Sequence, residues 1–356
     1  MGGSYSNAKR NITLGRNMVA DHGSAECRRA LARLDSYAAG IALNEGKPQA
    51  ALDAAQRAAV EAASVGDEDA LARSFVVQDW AHHMLGQPEL ATHRDEALEM
   101  FERLGELQRA SNVMNNEGGF AYFAGHWEEA VAWYRRSQDA TQRAGNTTHA
   151  ALAGANIAEV LIGQGRYEEA TSELEEAHRI LRAADAQAYI PFVEVQIARL
   201  DAETGRVQRA ISDLTRLRSS YSEAGDQYSA LDAAIHLGDA LLGAGDPARA
   251  TAVVNAAERE AGDQSAFFAA GIARIRARAL WEAGDVESAD AVASKGVAAA
   301  IDGELPYEEY LLRSWRIHMA SAAGTEPDTG DVARREELHA GLGITRETGV
   351  PEPVGS

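Results

Sequence analysis

Several things are scarce in this chain of 356 residues, and each scarcity excludes something. Cys27 is its one cysteine, so no intramolecular disulfide can form and nothing points to an oxidising compartment. Aromatic residues make up only 6% of a chain that is 46% apolar, so most of the apolar content is alanine and leucine, which favour helix over sheet. Lysine occurs three times, at Lys9, Lys47 and Lys295, and the 34 basic residues are outnumbered by 54 acidic ones, for a formal charge of −20. Such a surface repels phosphate backbones and anionic lipid, which excludes nucleic acid and membrane surfaces as partners. No apolar run approaches the roughly 20 residues that cross a bilayer. The opening MGGSYSNAKRNITLG lacks the apolar core of a signal peptide, so a cytoplasmic location is expected.

What the chain does have is a period. Apolar-periodic stretches end in a glycine at Gly46, Gly86, Gly125, Gly165, Gly205, Gly245, Gly284 and Gly324, always 39 or 40 residues apart. A second set of breaks lies midway, at Gly66, Gly105, Gly145, Asp185, Gly225, Gly262 and Gly303. Each period therefore holds two segments of about 16–18 residues, and the spacing within them is helical. After Gly165, for example, Ala170, Leu174, Ala177 and Leu181 fall on one face. Pro48, Pro88 and Pro247 follow a period-marking glycine by two residues and Pro327 by three, where a new helix opens, and Pro306 opens a half-repeat. Pro191 instead delays its helix to about Ile190.

These marks predict an all-α fold: a right-handed α-solenoid of about eight helical hairpins with a roughly 40-residue period, each hairpin stacking on its neighbours to bury its apolar face. The array is expected to span residues 25–324 as one continuous unit. Residues 1–24 read as a lone half-repeat behind an MGGS that resembles a cloning remnant, as if cut from a longer array. Residues 325–356 read as a cap helix over Val332–Leu342 followed by a disordered tail from Ile344.

The central text, residues 115–184, resembles a tetratricopeptide pattern at Ala121, Tyr122, Gly125, Trp127, Ala130 and Tyr134. It is also similar to the C-terminal repeat region of actinobacterial multidomain class III adenylate/guanylate cyclase-type proteins, and to arrays that end LuxR-type ATP-binding regulators. Asn115, Asn116, Tyr122, Gly125, Trp127, Glu129, Ala130, Tyr134 and Ser137 carry the likeness in one repeat. In the next it is carried by Asn156, Glu159, Gln164, Gly165, Arg166, Glu169, Ala170, Arg179 and Arg182, and Leu338–Thr345 resembles the closing segment of the same arrays. The resemblance implies a regulatory repeat module. It implies no catalytic residue for this stretch.

No motif carries chemistry. The segment Gly40–Pro48 has the wrong spacing for a phosphate loop, and Gly163-Gln-Gly165 lacks a dinucleotide fingerprint. The adjacent His82 and His83 point apart on a helix, so no metal site is expected. The pairs Glu168-Glu169 and Glu175-Glu176 read as a solvated face opposing Arg179 and Arg182, and Arg274, Arg276 and Arg278 as structural ion pairs. Neither a cofactor nor a catalytic residue is expected.

One constellation stands out. The position nine residues before the period-marking glycine carries hydrogen-bonding side chains in four consecutive repeats: Asn116, Asn156, Gln196 and His236. Same-face positions add Asn112, Asp232, Glu159, Arg199 and Asp239. First helices line the concave side of such solenoids. The column therefore reads as a ligand groove formed by Asn112, Asn116, Asn156, Glu159, Gln196, Arg199, Asp232 and His236. Its competing reading is a structural ladder in which Asn116 and Asn156 bond neighbouring helices. The expected function is a non-catalytic scaffold that takes a peptide segment or partner domain, preferentially a basic one. The alternative is a small-molecule sensor of a transcriptional regulator, which a closed and partly apolar pocket would distinguish.

Overall fold

A computed structural model describes residues 2–19 and 24–346. Among the described residues the regular structure is helical, with seventeen α-helices, two short 3-10 segments and no strand. All eight period-marking glycines take a left-handed backbone. The reason is local. At the period marks Gly245-Asp246 and Gly284-Asp285, and likewise at the midway breaks Gly145-Asn146 and Gly225-Asp226, the glycine closes one helix and the next side chain caps the following one. Asp226, for instance, accepts a hydrogen bond from the Ser229 amide at 3.1 Å.

The midway breaks hold with one shift. Asp185 takes φ 50°, a left-handed turn on a residue other than glycine, whereas the break expected at Gly303 falls on Glu304, at φ 51°. Pro191 opens its helix at Ile190 as expected. At Pro88 the expectation fails: only a 3-10 turn, Pro88–Leu90, forms there, and the next helix starts at Arg94. Asp79 accounts for the delay, since its Oδ2 accepts the His93 amide at 2.9 Å and ties the chain down directly in front of that helix.

The chain divides into two compact units, Met1–Val113 and Met114–Ser356, where the period alone predicts one uninterrupted array. The first holds α1 (Gly2–Val19), α2 (Ala25–Asn44), α3 (Pro48–Val65), α4 (Glu68–Met84), α5 (Arg94–Arg103) and the start of α6 (Leu107–Phe123). Its core is largely alanine, with Ala39, Ala51, Ala55 and Ala81 around Leu52 and Val77, which lets α2, α3 and α4 pack closely. Arg33 reaches the buried Asp67 at 2.6 Å, and Arg16 reaches Asp35.

The second unit continues α6 and adds α7 (Trp127–Arg143), α8 (Thr147–Gly163), α9 (Tyr167–Ala183), α10 (Ile190–Glu203), α11 (Val207–Glu223), α12 (Gln227–Gly243), α13 (Pro247–Ala261), α14 (Ala269–Glu282), α15 (Val286–Asp302), α16 (Pro306–Ala322) and α17 (Thr329–Leu342). The 3-10 segment Gly262–Phe268 precedes α14. Ala170, Leu174, Ala177 and Leu181 are all buried, as their spacing predicts. The unit then closes on itself. A single apolar cluster joins Trp127, Leu161 and Leu174 to Tyr310, Leu311, Leu338, Leu342 and Ile344. The Trp127 and Tyr307 rings lie 4.9 Å apart.

The closing segment is ordered by hydrogen bonds that the tail expectation missed. Thr345 donates to the Gln164 carbonyl from its amide (2.9 Å) and its hydroxyl (2.8 Å), and Gln164 Nε2 donates to the Leu342 carbonyl at 3.1 Å. Ile344–Arg346 are thus packed where disorder is expected from Ile344 onward, and the rest of that expected tail lies outside the described residues. The cap helix forms and starts at Thr329, behind an Asp328 cap.

Candidate functional site

Closure of the second unit leaves an interior cavity of about 390 Å³. It is walled mainly by the first helices of successive hairpins, the end of α6 and then α8, α10, α12, α14 and α16, because a 40-residue repeat returns the same helix face to the same side. Six of the eight residues of the sequence-read column open on it: Asn156, Glu159, Gln196, Arg199, Asp232 and His236. The other two do not. Asn112 is exposed and accepts from Gln108 Nε2 at 3.2 Å, and Asn116 does not line the cavity. A ladder contact does exist, but it joins Asn156 Nδ2 to Asn115 Oδ1 at 2.9 Å, so Asn115 takes the part expected of Asn116.

Spacing missed the aromatic wall: Tyr122, Phe192, Tyr228, Phe267 and Tyr307. Phe123 and Phe267 meet edge to face at 5.6 Å, and both are partly exposed, as is Tyr228. Trp127 and Tyr134 are buried and also border the cavity, whereas Tyr167 is core and donates to Glu203 at 3.1 Å. Tyr307 and Glu308 come from the start of α16, over a hundred residues beyond Gln196. No local period could have announced them.

The lining carries five carboxylates, Glu159, Glu203, Asp232, Asp239 and Glu308, against two guanidiniums, Arg199 and Arg274. Arg274 is the saturated one. Only 6% of its side chain is exposed, and it is clamped by Asp239 and by Glu308 at 2.9 Å, which makes it a structural tie rather than a free cation. The other arginines of that run also pair, Arg276 with Glu258 at 2.6 Å and Arg278 with Glu282 at 3.2 Å, in line with the sequence reading. Arg199 makes no hydrogen bond or ion pair among the described residues. Burial opposes its charge, but the Tyr307 and Tyr122 hydroxyls and the Glu159 and Glu203 carboxylates outweigh that and hold it protonated.

The remaining acids lack a close cation. Burial pushes the Asp232 carboxyl up to about 7, helped by Glu159 and Glu308 and opposed by Arg199. Its side chain is still 41% exposed, on the cavity that it lines. Burial also raises Glu159, against the pull of Arg199 and a 3.2 Å hydrogen bond from the Tyr122 hydroxyl. His236, 3.8 Å from Asp232, is held neutral, pushed down to about 3 by burial and then by Arg199. Gln196 is 2% exposed, and its Oε1 has no hydrogen-bond partner.

The acid pairs expected on a solvated face stay there. Arg179 binds Glu176 and Arg166 binds Glu169, while Arg182 turns instead to Glu194 at 3.2 Å. Among the described residues no cluster of His, Cys, Asp and Glu could hold a metal ion, and no helix is long and apolar enough to cross a membrane.

Comparison with known proteins agrees with this architecture. The sequence model of the tetratricopeptide repeat family matches residues 109–183. A Rap protein, solved in complex with Competence and Sporulation Factor, aligns with TM-score 0.63 at 13% identity, over 88% of this chain and 88% of its own. NprR, solved with its cognate peptide NprX, aligns with TM-score 0.56 at 14% identity, over 81% of this chain and 87% of its own. No curated protein matches the sequence. At such identities the likeness is one of fold. The chain is an all-α array of tetratricopeptide-like helical hairpins, similar in fold to the Rap and NprR repeat structures.

Proposed function

We propose that this chain is a non-catalytic regulatory receptor that takes a short peptide segment, preferentially a basic one, into the cavity of its second unit. The observation that carries the reading is the aromatic-walled cavity, on which six polar column residues from three successive first helices open together. Several repeats thereby offer contacts to one extended ligand, and such contacts add along its length. The solved neighbours support a peptide: NprR is seen with its cognate peptide, and the Rap protein with Competence and Sporulation Factor. The chain's charge of −20 speeds encounter with a basic partner.

Affinity selection from a library of short peptides tests this. The wild-type chain is expected to retain a defined, lysine- or arginine-containing subset. Ser229→Trp, which fills the cavity from its lining, should lose it without loss of helix content. Retention of the same subset by Ser229→Trp would refute the reading.

A second reading, a small-molecule effector sensor of a transcriptional regulator, is favoured by one observation. The cavity, at about 390 Å³, is of a size typical of small-molecule pockets, about 300–1,000 Å³. A metabolite-induced thermal shift, with no shift from any peptide, would select it. The resemblance of residues 115–184 to cyclase-linked arrays supports a further proposal, that the array is the regulatory segment of a longer signalling protein. The mass of the natural gene product tests that.

A further inference from the structure

Three acceptor groups on the cavity wall have no adequate donor. Asp232 has only the neutral His236 beside it, at 3.8 Å. Glu159 is met by one tyrosine hydroxyl, at 3.2 Å. Gln196 Oε1, on a side chain that is 98% buried, has no partner at all. A buried acceptor without a donor is costly, and such groups are usually paired. The lining also carries three more negative than positive formal charges, and Arg274 is already spent on Asp239 and Glu308. Arg199 points to the same conclusion. It sits in the field of Glu159 and Glu203 but bonds to neither, so it offsets charge without supplying the missing hydrogen bonds. The partly exposed rings of Tyr228 and Phe267 complete the wall, and aromatic faces attract cations.

We propose that Glu159, Asp232 and Gln196 Oε1 form a subsite for a single monocation, an alkylammonium or alkylguanidinium group, seated between the acceptors and the Tyr228 ring. This rests on the receptor reading above and names what the occupant must carry. The cation comes either from a lysine or arginine side chain of a peptide or from a free aliphatic amine. An ammonium can donate up to three hydrogen bonds, which suits a wall rich in acceptors. Neighbouring elements bring no other strong competitor: the groups that face Asp232 are Glu159 from α8, Arg199 from α10, Tyr221 from α11, Tyr228 and His236 from α12 and Glu308 from α16. Because part of the Asp232 population carries a proton near neutrality, seating the cation should expel it.

The test is calorimetric titration of the full chain with N-acetyl-lysine amide, its neutral isostere N-acetyl-norleucine amide, and n-pentylamine. Lysine amide is expected to bind at least about tenfold tighter than norleucine amide. That preference should vanish in Asp232→Asn and in Glu159→Gln and persist in Glu175→Gln on the outer face. Should either isostere fail to fold, the wild type still decides. Lysine-amide affinity must rise from about pH 6 to about pH 8, with net proton release visible across buffers of different ionisation enthalpy. Equal affinity for lysine and norleucine amides, or a flat pH profile, overturns the subsite.

The two proposals can fail separately. If library peptides bind without any lysine preference, the receptor reading stands and the monocation subsite falls. If n-pentylamine and lysine amide bind but no longer peptide competes, the subsite stands and the small-molecule reading replaces the peptide one.

Discussion

Four glycines with the same backbone but different surroundings offer a controlled perturbation of how the second unit closes. Gly125, Gly165, Gly205 and Gly245 all hold φ between 77° and 89°. An added methyl at Gly205 or Gly245 would meet nothing within 4 Å. At Gly125 it would lie 2.7 Å from Pro306 Cγ, and at Gly165 2.5 Å from Arg346 Cβ and 2.8 Å from the Arg346 carbonyl oxygen. Alanine at any of the four incurs the left-handed backbone cost, roughly 1–2 kcal/mol. Gly125→Ala and Gly165→Ala add overpacking against a proline ring or a backbone, roughly 1–3 kcal/mol more.

Thermal unfolding followed by far-UV circular dichroism should therefore show a modest drop for Gly205→Ala and Gly245→Ala, at about 2–4 °C per kcal/mol for a unit of this size. The drop for the other two should be about twice as large. If the closure yields locally instead, the excess appears as faster amide exchange at Leu338–Arg346 in Gly125→Ala and Gly165→Ala only. Four equal midpoints together with unchanged exchange would refute the closed second unit, and with it the cavity.

Other expectations follow from the lining. Arg274→Met removes the cation shared by Asp239 and Glu308 and should destabilise by about 3–5 kcal/mol in urea unfolding, because two enclosed carboxylates lose their partner. Asp232 and His236 give opposite pH slopes. The folded Asp232 carboxyl, raised from 3.8 to about 7, holds a proton that the unfolded chain has lost, so its contribution falls as pH rises through that window. His236, lowered from 6.5 to about 3, stays neutral while the unfolded imidazole charges, so its contribution is present above 6.5 and is lost as pH falls towards 3. Measured against the wild type between about pH 4 and 6, stability should gain with pH in Asp232→Asn and lose with pH in His236→Gln. The reverse slopes in denaturant titrations would contradict both assignments. Gly118→Ala would place a methyl 2.6 Å from the Tyr134 ring and should cost about 1–3 kcal/mol by the same urea assay.

The hairpin array is legible in the sequence because it is written in local chemistry. A left-handed glycine followed by an Asx cap, and a four-three-four apolar stripe such as Ala170 to Leu181, need no knowledge of distant residues. Six cavity residues are legible for a related reason: a constant period repeats one helix face, so Asn156, Gln196 and His236 share a column through their spacing alone. What the period does not carry is non-local. The approach of Pro306 and Tyr307 to Gly125 and Trp127, and of Thr345 to Gln164, depends on how small rotations accumulate over several hairpins. No spacing rule encodes that sum, so the groove expected from the period is a deeper cavity with an aromatic wall. Asn112 and Asn116 fall outside it because α6 meets the cavity only through its last turn, at Tyr122 and Phe123.

The most direct measurement is photo-crosslinking of bound peptide. With p-benzoylphenylalanine in place of Tyr228 on the cavity wall, and separately in place of Val60 on the exposed face of α3, the chain is irradiated with the short-peptide pool and the adducts are sequenced. Lysine- or arginine-bearing adducts at the Tyr228 position alone are predicted. Adducts formed equally at both positions, or at Val60 only, would contradict a receptor that holds its ligand inside the second unit.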